Sequence, residues 1–208
     1  MKLDVGQASL ASTSCPTCNM VYHKGEPEDD RHHSKYHAQF IQGVDFGPVS
    51  RLNNVDILFN VKGRYDVIRI RSPLSDKANS VLRFAYKDLG MDTRRKPVKG
   101  EQLYLGISSA GRAIGCALII PLQTAYVPDE SVRIKTEKSH DVRIGVELIW
   151  TLSSFRRQRI GSQLLDVARE HFTLGLPIER SEMGFSQPTS LGVRFARQYL
   201  ECHQLLVY

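Results

Sequence analysis

The sequence predicts an α+β fold with a small cysteine- and histidine-rich module ahead of it, on three observations. Apolar runs of strand length, separated by turn residues, recur between residues 55 and 152. Stretches with apolar residues at three- and four-residue spacing, the period of a helix, follow residue 75 and again residue 154. Between Cys15 and Phe40, two cysteines and four histidines (His23, His32, His33, His37) crowd a segment with too few apolar residues to build a core. The 208 residues suit one domain, or one domain with an appendage. Hydrophobic residues at 41% and charged residues at 24% exclude wholesale disorder. A chain of this size buries roughly 70% of its unfolded surface without needing disulfide staples.

Residues 1–14 are small, polar and aperiodic and read as a disordered lead-in. Residues 15–42 are the compact module and 43–208 the main domain. Val55–Val61 and Tyr65–Ile70 read as strands around the turn Lys62-Gly63-Arg64. Ser75 and Asp76 cap a helix through Val81, Leu82, Phe84, Ala85 and Leu89, ended by Gly90. Leu103–Ser108 and Ala113–Ile120 form a hairpin across Ser109-Ala110-Gly111-Arg112. Residues 123–143, polar and charged, read as a long surface loop. Val146–Leu152 is a strand and Ser154–Phe172 a helix with Ile160, Leu164, Leu165, Val167, Ala168 and Phe172 on its apolar side. Met183–Phe185 is a strand, Thr189–Tyr199 a helix behind Pro188, and Gln204–Tyr208 a last strand.

Composition excludes several classes. The longest apolar run, Gly115–Ile120, falls far short of the ~18–20 residues that span a bilayer. Met1-Lys2-Leu3-Asp4 opens no signal peptide. Four cysteines are too few for a disulfide framework, which points to a soluble protein of a reducing compartment with no membrane partner. The formal net charge of +6 suits an acidic partner.

Cys15-Pro16-Thr17-Cys18 is a C-x2-C pair, and His33 and His37 are an H-x3-H pair, all within 23 residues. A C-x2-C turn aims two thiolates at one metal, and histidines four apart share a helix face. Together they supply the four tetrahedral ligands of a structural Zn2+ site, a C2H2-type zinc finger. His32 is half a turn off the shared face, so His33 is preferred. Base-reading fingers contact DNA from the start of their helix. Here that stretch is Glu26-Pro27-Glu28-Asp29-Asp30, which phosphates repel, so the finger docks or stabilises and does no sequence-specific DNA reading.

Gly145-Val146-Glu147-Leu148-Ile149-Trp150-Thr151-Leu152 leads into Ser153-Ser154-Phe155-Arg156-Arg157-Gln158-Arg159-Ile160-Gly161-Ser162 and then a helix. Strand, turn and helix start place free N–H groups beside arginines, which is either a pyrophosphate site or a basic helix start facing water. No G-K-[ST] and no G-x-G-x-x-G is present, so the loop is neither a P-loop nor a dinucleotide fingerprint. Arg156-x-x-Arg159-x-Gly161 after an apolar strand is similar to the R/Q-x-x-G-x-G/A acetyl-CoA loop of the GNAT superfamily of N-acetyltransferases, with Arg159 in place of the first glycine. Cys15–His37, Ile149-Trp150, Arg156-Arg157, Phe185-Ser186-Gln187-Pro188-Thr189, Phe195-Ala196 and Leu206-Val207-Tyr208 together resemble the sister-chromatid cohesion-establishment acetyltransferases. Residues 41–140 contribute little to the likeness.

The resemblance implies a GNAT domain, a mixed central sheet flanked by helices, that follows an N-terminal C2H2 zinc finger. It implies acetyl-CoA as co-substrate, with the pantetheine arm along Ile149, Trp150 and Thr151. The pyrophosphate would lie on Arg157, Gln158, Arg159, Ile160, Gly161 and Ser162. Thr189, Ser190 and Leu191 would line the same groove, while Ser186 and Gln187 would face the substrate lysine. Ser186-Gln187-Pro188 also reads as a plain turn before a helix.

Glu147 is the residue singled out as general base, since strand alternation puts it on one face with Ile149 and Thr151. The family resembled has a small hydroxyl residue at that place, a glutamate where Asp166 stands and an aspartate where Gln187 stands. Asp166 is the second catalytic candidate, or an exposed polar helix position. Gln187 cannot act as a base and can hold a lysine through its amide oxygen. Cys116 and Cys202 read as ordinary thiols. Tyr199 reads as a core tyrosine, the alternative being a proton donor to the departing thiolate. The implied activity is protein-lysine N-acetylation of a cohesin SMC ATPase subunit, in the nucleus and associated with chromatin. The rivals are another chromatin substrate such as a histone, and a weakly catalytic zinc-finger adaptor.

Overall fold

The computed structural model describes residues 12–51, 55–61, 63–71, 74–129, 134–201 and 203–208, without the side chains of residues 51 and 134–138. Residues 1–11 of the lead-in, Lys62 of the first turn and Cys202 lie outside the described residues.

The finger opens with β1 (Ser12–Ser14) paired to β2 (Val21–His23), so strand begins ahead of Cys15, inside what composition reads as lead-in. Helix α1 (Pro27–Gln42) follows, with proline in its first turn and Glu28, Asp29 and Asp30 where the helix dipole favours acids. Gly43, at φ 91, ends it.

A seven-stranded mixed sheet forms the rest. β3 (Val44–Asp45), β4 (Asp56–Val61), β5 (Tyr65–Arg71), β6 (Gln102–Ser108), β7 (Arg112–Pro121), β10 (Ile144–Thr151) and β11 (Met183–Phe185) take the order β11-β10-β7-β6-β5-β4, with β3 also on β7. Among the described strands of this sheet, only β10 and β11 pair in parallel. The helices are α2 (Asp76–Asp88), α3 (Ile160–His171) and α4 (Ser190–Leu200). Ser75 caps α2, its Oγ accepting from Ala78 N–H at 3.3 Å, and Gly90 stands beyond the end at φ 69, as the sequence predicts.

The sheet separates two cores. On one face α3 and α4 bring Ile160, Leu164, Leu165, Val167, Ala168, Val193, Ala196 and Tyr199 onto Tyr104, Ile114, Ile119 and Val146. On the other, Val81, Leu82, Phe84 and Ala85 of α2 pack on Leu103, Leu105, Leu118, Leu148 and Trp150. The finger helix adds Tyr36 and Phe40 to this second core, Tyr36 lying 5.7 Å from the Phe84 ring and under the Lys87 ammonium at 4.4 Å. No helix among the described residues is long and apolar enough to cross a membrane.

The structure departs from the sequence pattern in three places. Residues 123–129 and 134–143 do not form a loop: β8 (Thr124–Pro128) and β9 (Ile134–Asp141) pair antiparallel as a separate two-stranded sheet. The helix predicted from Ser154 begins at Ile160, because Ser153–Phe155 form a 3-10 turn and Arg157 and Arg159 adopt left-handed backbone that no helix continues through. Gln204–Tyr208 is not a regular strand, but Val207 bridges to Tyr126 and to Phe185.

Candidate active site and metal centre

The ligand atoms of Cys15, Cys18, His33 and His37 all lie within 4.8 Å of one another. The chain turns tightly at Cys15–Met20, where Cys15 N–H donates to Met20 O at 3.0 Å and Asn19, at φ 55, donates to Cys15 O at 2.9 Å. Cys15 Sγ is 3.4 Å from His37 Nδ1, the separation expected of two ligands on one tetrahedral zinc. His33 Nε2 is buried without a protein partner, while its ring stacks on Tyr22 at 4.0 Å. An orphaned imidazole nitrogen facing two thiols is what a metal satisfies, and two sulfurs with two imidazoles are a structural zinc set. The N–H groups of Cys18 and Thr17 lower the Cys15 thiol to about 6, toward the thiolate that metal binding needs. His32 is exposed and outside the group.

The second site is an opening in the sheet. β10 and β11 pair only over Ile144–Val146 and Met183–Phe185, after which β11 ends. Ser186 marks the divergence, its N–H donating to Val146 O at 3.0 Å and its hydroxyl to Glu147 O at 2.7 Å. Beyond that point β10 keeps β7 along one edge, and its other edge has no strand partner among the described residues. Leu152 N–H donates to Ile114 O, so antiparallel alternation turns the backbone of Leu148 and Trp150 toward β7. Ile149 and Thr151 present their N–H and C=O groups to the open edge. Trp150 is committed elsewhere: it is 1% exposed and its indole N–H donates to Asp88 Oδ2 at 2.8 Å.

The basic turn lies at the end of this edge. Arg157 and Arg159 hold φ 64 and 63, and all of residues 156–159 are exposed. Arg159 occupies the N-cap of α3 with no side-chain cap, and no acid stands in the first turn. The N–H groups of Ile160, Gly161 and Ser162 therefore point outward at the positive end of the helix dipole. A Cβ on Gly161 would lie 3.2 Å from the Phe195 ring, so glycine lets α4 close on this turn. Leu191, one turn before Phe195, is exposed on the same side of α4. Thr189 caps α4, its hydroxyl accepting from Gly192 N–H at 3.2 Å. Arg156 is withdrawn from the cluster, its guanidinium reaching Thr151 O at 3.1 Å and Asp88 Oδ2 at 3.4 Å. Arg64, which the sequence did not single out, donates to Gln158 Oε1 at 3.3 Å and brings a further cation beside the turn.

The two acids fall on different faces of the sheet. β10 carries a bulge: Val146 opposes Ile119 and Leu148 opposes Leu118, leaving Glu147 as the extra residue. This overturns the expected shared face. Ile149 packs toward α3 and α4, while Glu147 turns to Gly145's face, where its Oε2 accepts from Tyr208 OH at 3.0 Å. Asp166 lies between α3 and α4, accepting from Tyr199 OH at 2.8 Å and paired with Arg169 at 3.5 Å. Burial raises the Tyr199 hydroxyl far above the usual phenol range, and it is a core residue. Burial likewise raises Cys116, which is no nucleophile at neutral pH. Gln187 is exposed at the start of the turn before α4.

A sheet splayed between two parallel strands, with a basic turn at the helix start and a C2H2 finger ahead of it, defines the class of zinc-finger GNAT-type acetyltransferases. Residues 140–208 match the family described as ESCO1/2 acetyl-transferase, and residues 1–39 match the zinc-finger of acetyl-transferase ESCO. Both ends of the chain thus match ESCO acetyltransferase descriptions. Zebrafish (Danio rerio) N-acetyltransferase ESCO2 is 28% identical over 99% of this chain and 37% of its own length. Human N-acetyltransferase ESCO1 is 28% identical over 99% of this chain and 27% of its own, and Debaryomyces hansenii N-acetyltransferase ECO1 is 26% identical over 90% and 77%. The chain thus spans 37% of one of these vertebrate relatives and 27% of the other. The structure of the xEco2 acetyltransferase domain superposes with a TM-score of 0.66 at 24% identity, covering 76% of this chain and 97% of that one. A second structure of that domain, bound to a K105-CoA conjugate, gives the same TM-score of 0.66.

Proposed function

We propose that this chain is a protein-lysine N-acetyltransferase of cohesion establishment, taking acetyl from acetyl-CoA to a lysine of a cohesin SMC subunit on chromatin in the nucleus. The observation that carries it is the unpaired edge of β10 ending on the arginine-bearing start of α3. Acetyl-CoA supplies an activated acetyl thioester. Ile149 and Thr151 pair with the amides of its arm as an added strand would. Arg157, Arg159 and the N–H groups of Ile160, Gly161 and Ser162 hold its pyrophosphate, with Gln158 keeping the turn in shape and Thr189, Ser190 and Leu191 flanking the groove. Glu147 takes the lysine proton; it stands at the mouth of the opening and has no ion pair among the described residues, whereas Asp166 is paired with Arg169. Gln187 orients the lysine, and Ser186 holds the backbone of Glu147. Glu28, Asp29 and Asp30 in the first turn of the finger helix favour a stabilising finger over a DNA-reading one.

The test is incubation with labelled acetyl-CoA and either a recombinant cohesin SMC head domain or histones, followed by mapping of modified lysines. Labelled SMC lysine is the expected result. Label on histones alone overturns the substrate, and no label despite acetyl-CoA binding makes the chain an adaptor. Glu147→Gln lowers turnover by about 100-fold or more, the scale of general-base catalysis, with acetyl-CoA affinity retained. Normal turnover by that variant moves the base to Asp166.

A further inference from the structure

Glu147 is held from outside its own strand. Residues 205–208 run between β11 and β8: Phe185 N–H donates to Leu206 O at 2.9 Å, and Tyr126 and Val207 exchange two bonds at 2.8 Å. Tyr208 N–H then donates to Phe185 O at 3.2 Å. These bonds lay the Tyr208 ring over Gly145 of β10 and Gly184 of β11, where added Cβ atoms would stand 2.7 and 3.3 Å from ring carbons. The slot is therefore built from a glycine on each of the two diverging strands. It delivers the Tyr208 hydroxyl to Glu147 Oε2 at 3.0 Å.

The other groups facing this carboxylate are few. Tyr86 of α2 approaches from the second core, its hydroxyl buried without a partner and pushed up by burial to about 12. Cys116 of β7 is a buried neutral thiol, and Arg95 is neutralised by Glu101. Ser186 spends its hydroxyl on the Glu147 carbonyl. Only Tyr208 is bonded to the Glu147 carboxylate among the described residues, and burial keeps its proton in place by raising it far above the usual phenol range.

We propose that Tyr208 is a positioning residue for Glu147, its hydroxyl fixing Oε2 so that Oε1 is presented to the incoming lysine. This rests on the reading of Glu147 as the base. The lysine ammonium gives one proton to Oε1, its N–H bond breaking as the O–H bond forms, and the nitrogen lone pair is released for attack. Tyr208 keeps its own proton throughout.

The test uses the full chain as wild type, Tyr208→Phe, Glu147→Gln and the double variant, with labelled acetyl-CoA and a cohesin SMC head domain as acceptor. Calorimetric titration with acetyl-CoA checks that each variant is folded and binds. Tyr208→Phe keeps the ring in its slot and lowers kcat about tenfold, the scale of one lost hydrogen bond, with KM for acetyl-CoA unchanged. In the Glu147→Gln background the same change alters the residual rate less than twofold. A kcat for Tyr208→Phe within twofold of wild type, or an equal tenfold loss in both backgrounds, overturns the proposal. Wild-type turnover by Glu147→Gln, or no labelling by the wild type, overturns the base reading with it. Loss in Glu147→Gln beside an unchanged Tyr208→Phe overturns the positioning role alone.

Discussion

Arg159 holds φ 63 and ψ 11, a backbone that glycine adopts freely and that costs an ordinary side chain about 1 kcal/mol or more. An arginine at this N-cap sets a cation at the positive end of the α3 dipole, a place that favours it only beside a bound anion. Two consequences of opposite sign follow for Arg159→Gly. Relief of strain, less the greater freedom glycine has in the unfolded chain, leaves a net gain of about 0.5 kcal/mol. Loss of one charged donor weakens acetyl-CoA binding about tenfold. Thermal unfolding and calorimetric titration of the same variant check the pair; a fall in both stability and affinity would make the side chain itself structural. The unusual arginine was visible in the sequence as a departure from a glycine, but its φ was not. Nor was the Tyr208–Glu147 bond, since 61 residues separate its partners.

At the scale of elements, strands covered on both faces were the legible ones. Leu103–Ser108 and Ala113–Ile120 read directly because their side chains enter one core or the other. The β8–β9 sheet was missed because the sequence of β9, Ile134–Asp141, shows no apolar alternation; among the described residues the buried core beside it holds Ala125, Val142 and Leu206. The bulge was missed because period-two reasoning assumes an unbroken register. The edge strand β4 offers a test in pH. Asp56 accepts from both Arg69 Nε at 3.0 Å and Nη2 at 2.7 Å, which holds its carboxyl below the usual range. The stabilisation is therefore fully present above the unfolded value near 3.9 and is lost as pH falls through the lower folded value. Asp56 is 43% exposed, so the effect stays under about 1 kcal/mol. Urea unfolding at pH 7 and pH 3 shows a smaller difference for Asp56→Asn than for wild type; an unchanged difference places the acid sensitivity elsewhere.

Across the whole molecule, the finger and the sheet meet through a relay of rings. Tyr36 of α1 touches Phe84, and Phe84 meets the edge of Trp150 at 5.6 Å. Trp150 in turn shares Asp88 with Arg156, at the foot of the basic turn. The chain has one tryptophan, so its fluorescence reports on this junction alone. Chelation of zinc unfolds the finger, whose four ligands replace a core, and shifts Trp150 emission while lowering Tm. Emission unchanged after the finger's helix signal is lost would show that α1 is dispensable to the junction. The two ends of the chain were the legible parts, since finger spacing and the strand–turn–helix with its arginines are local patterns. Residues 40–139, which neither family description matches, were legible as strands and a helix but carried no chemistry.

The bulge in β10 has a consequence for how freely this centre can vary. Skipping residue 147, Val146 and Leu148 follow one another as neighbours on opposite faces, against Ile119 and Leu118, and the apolar frame of the strand closes without a gap. Residue 147 is thus a guest in the sheet: no layer of either core depends on its side chain. Its chemistry can be rewritten from carboxylate to amide, which still accepts from Tyr208, with the apolar frame left intact.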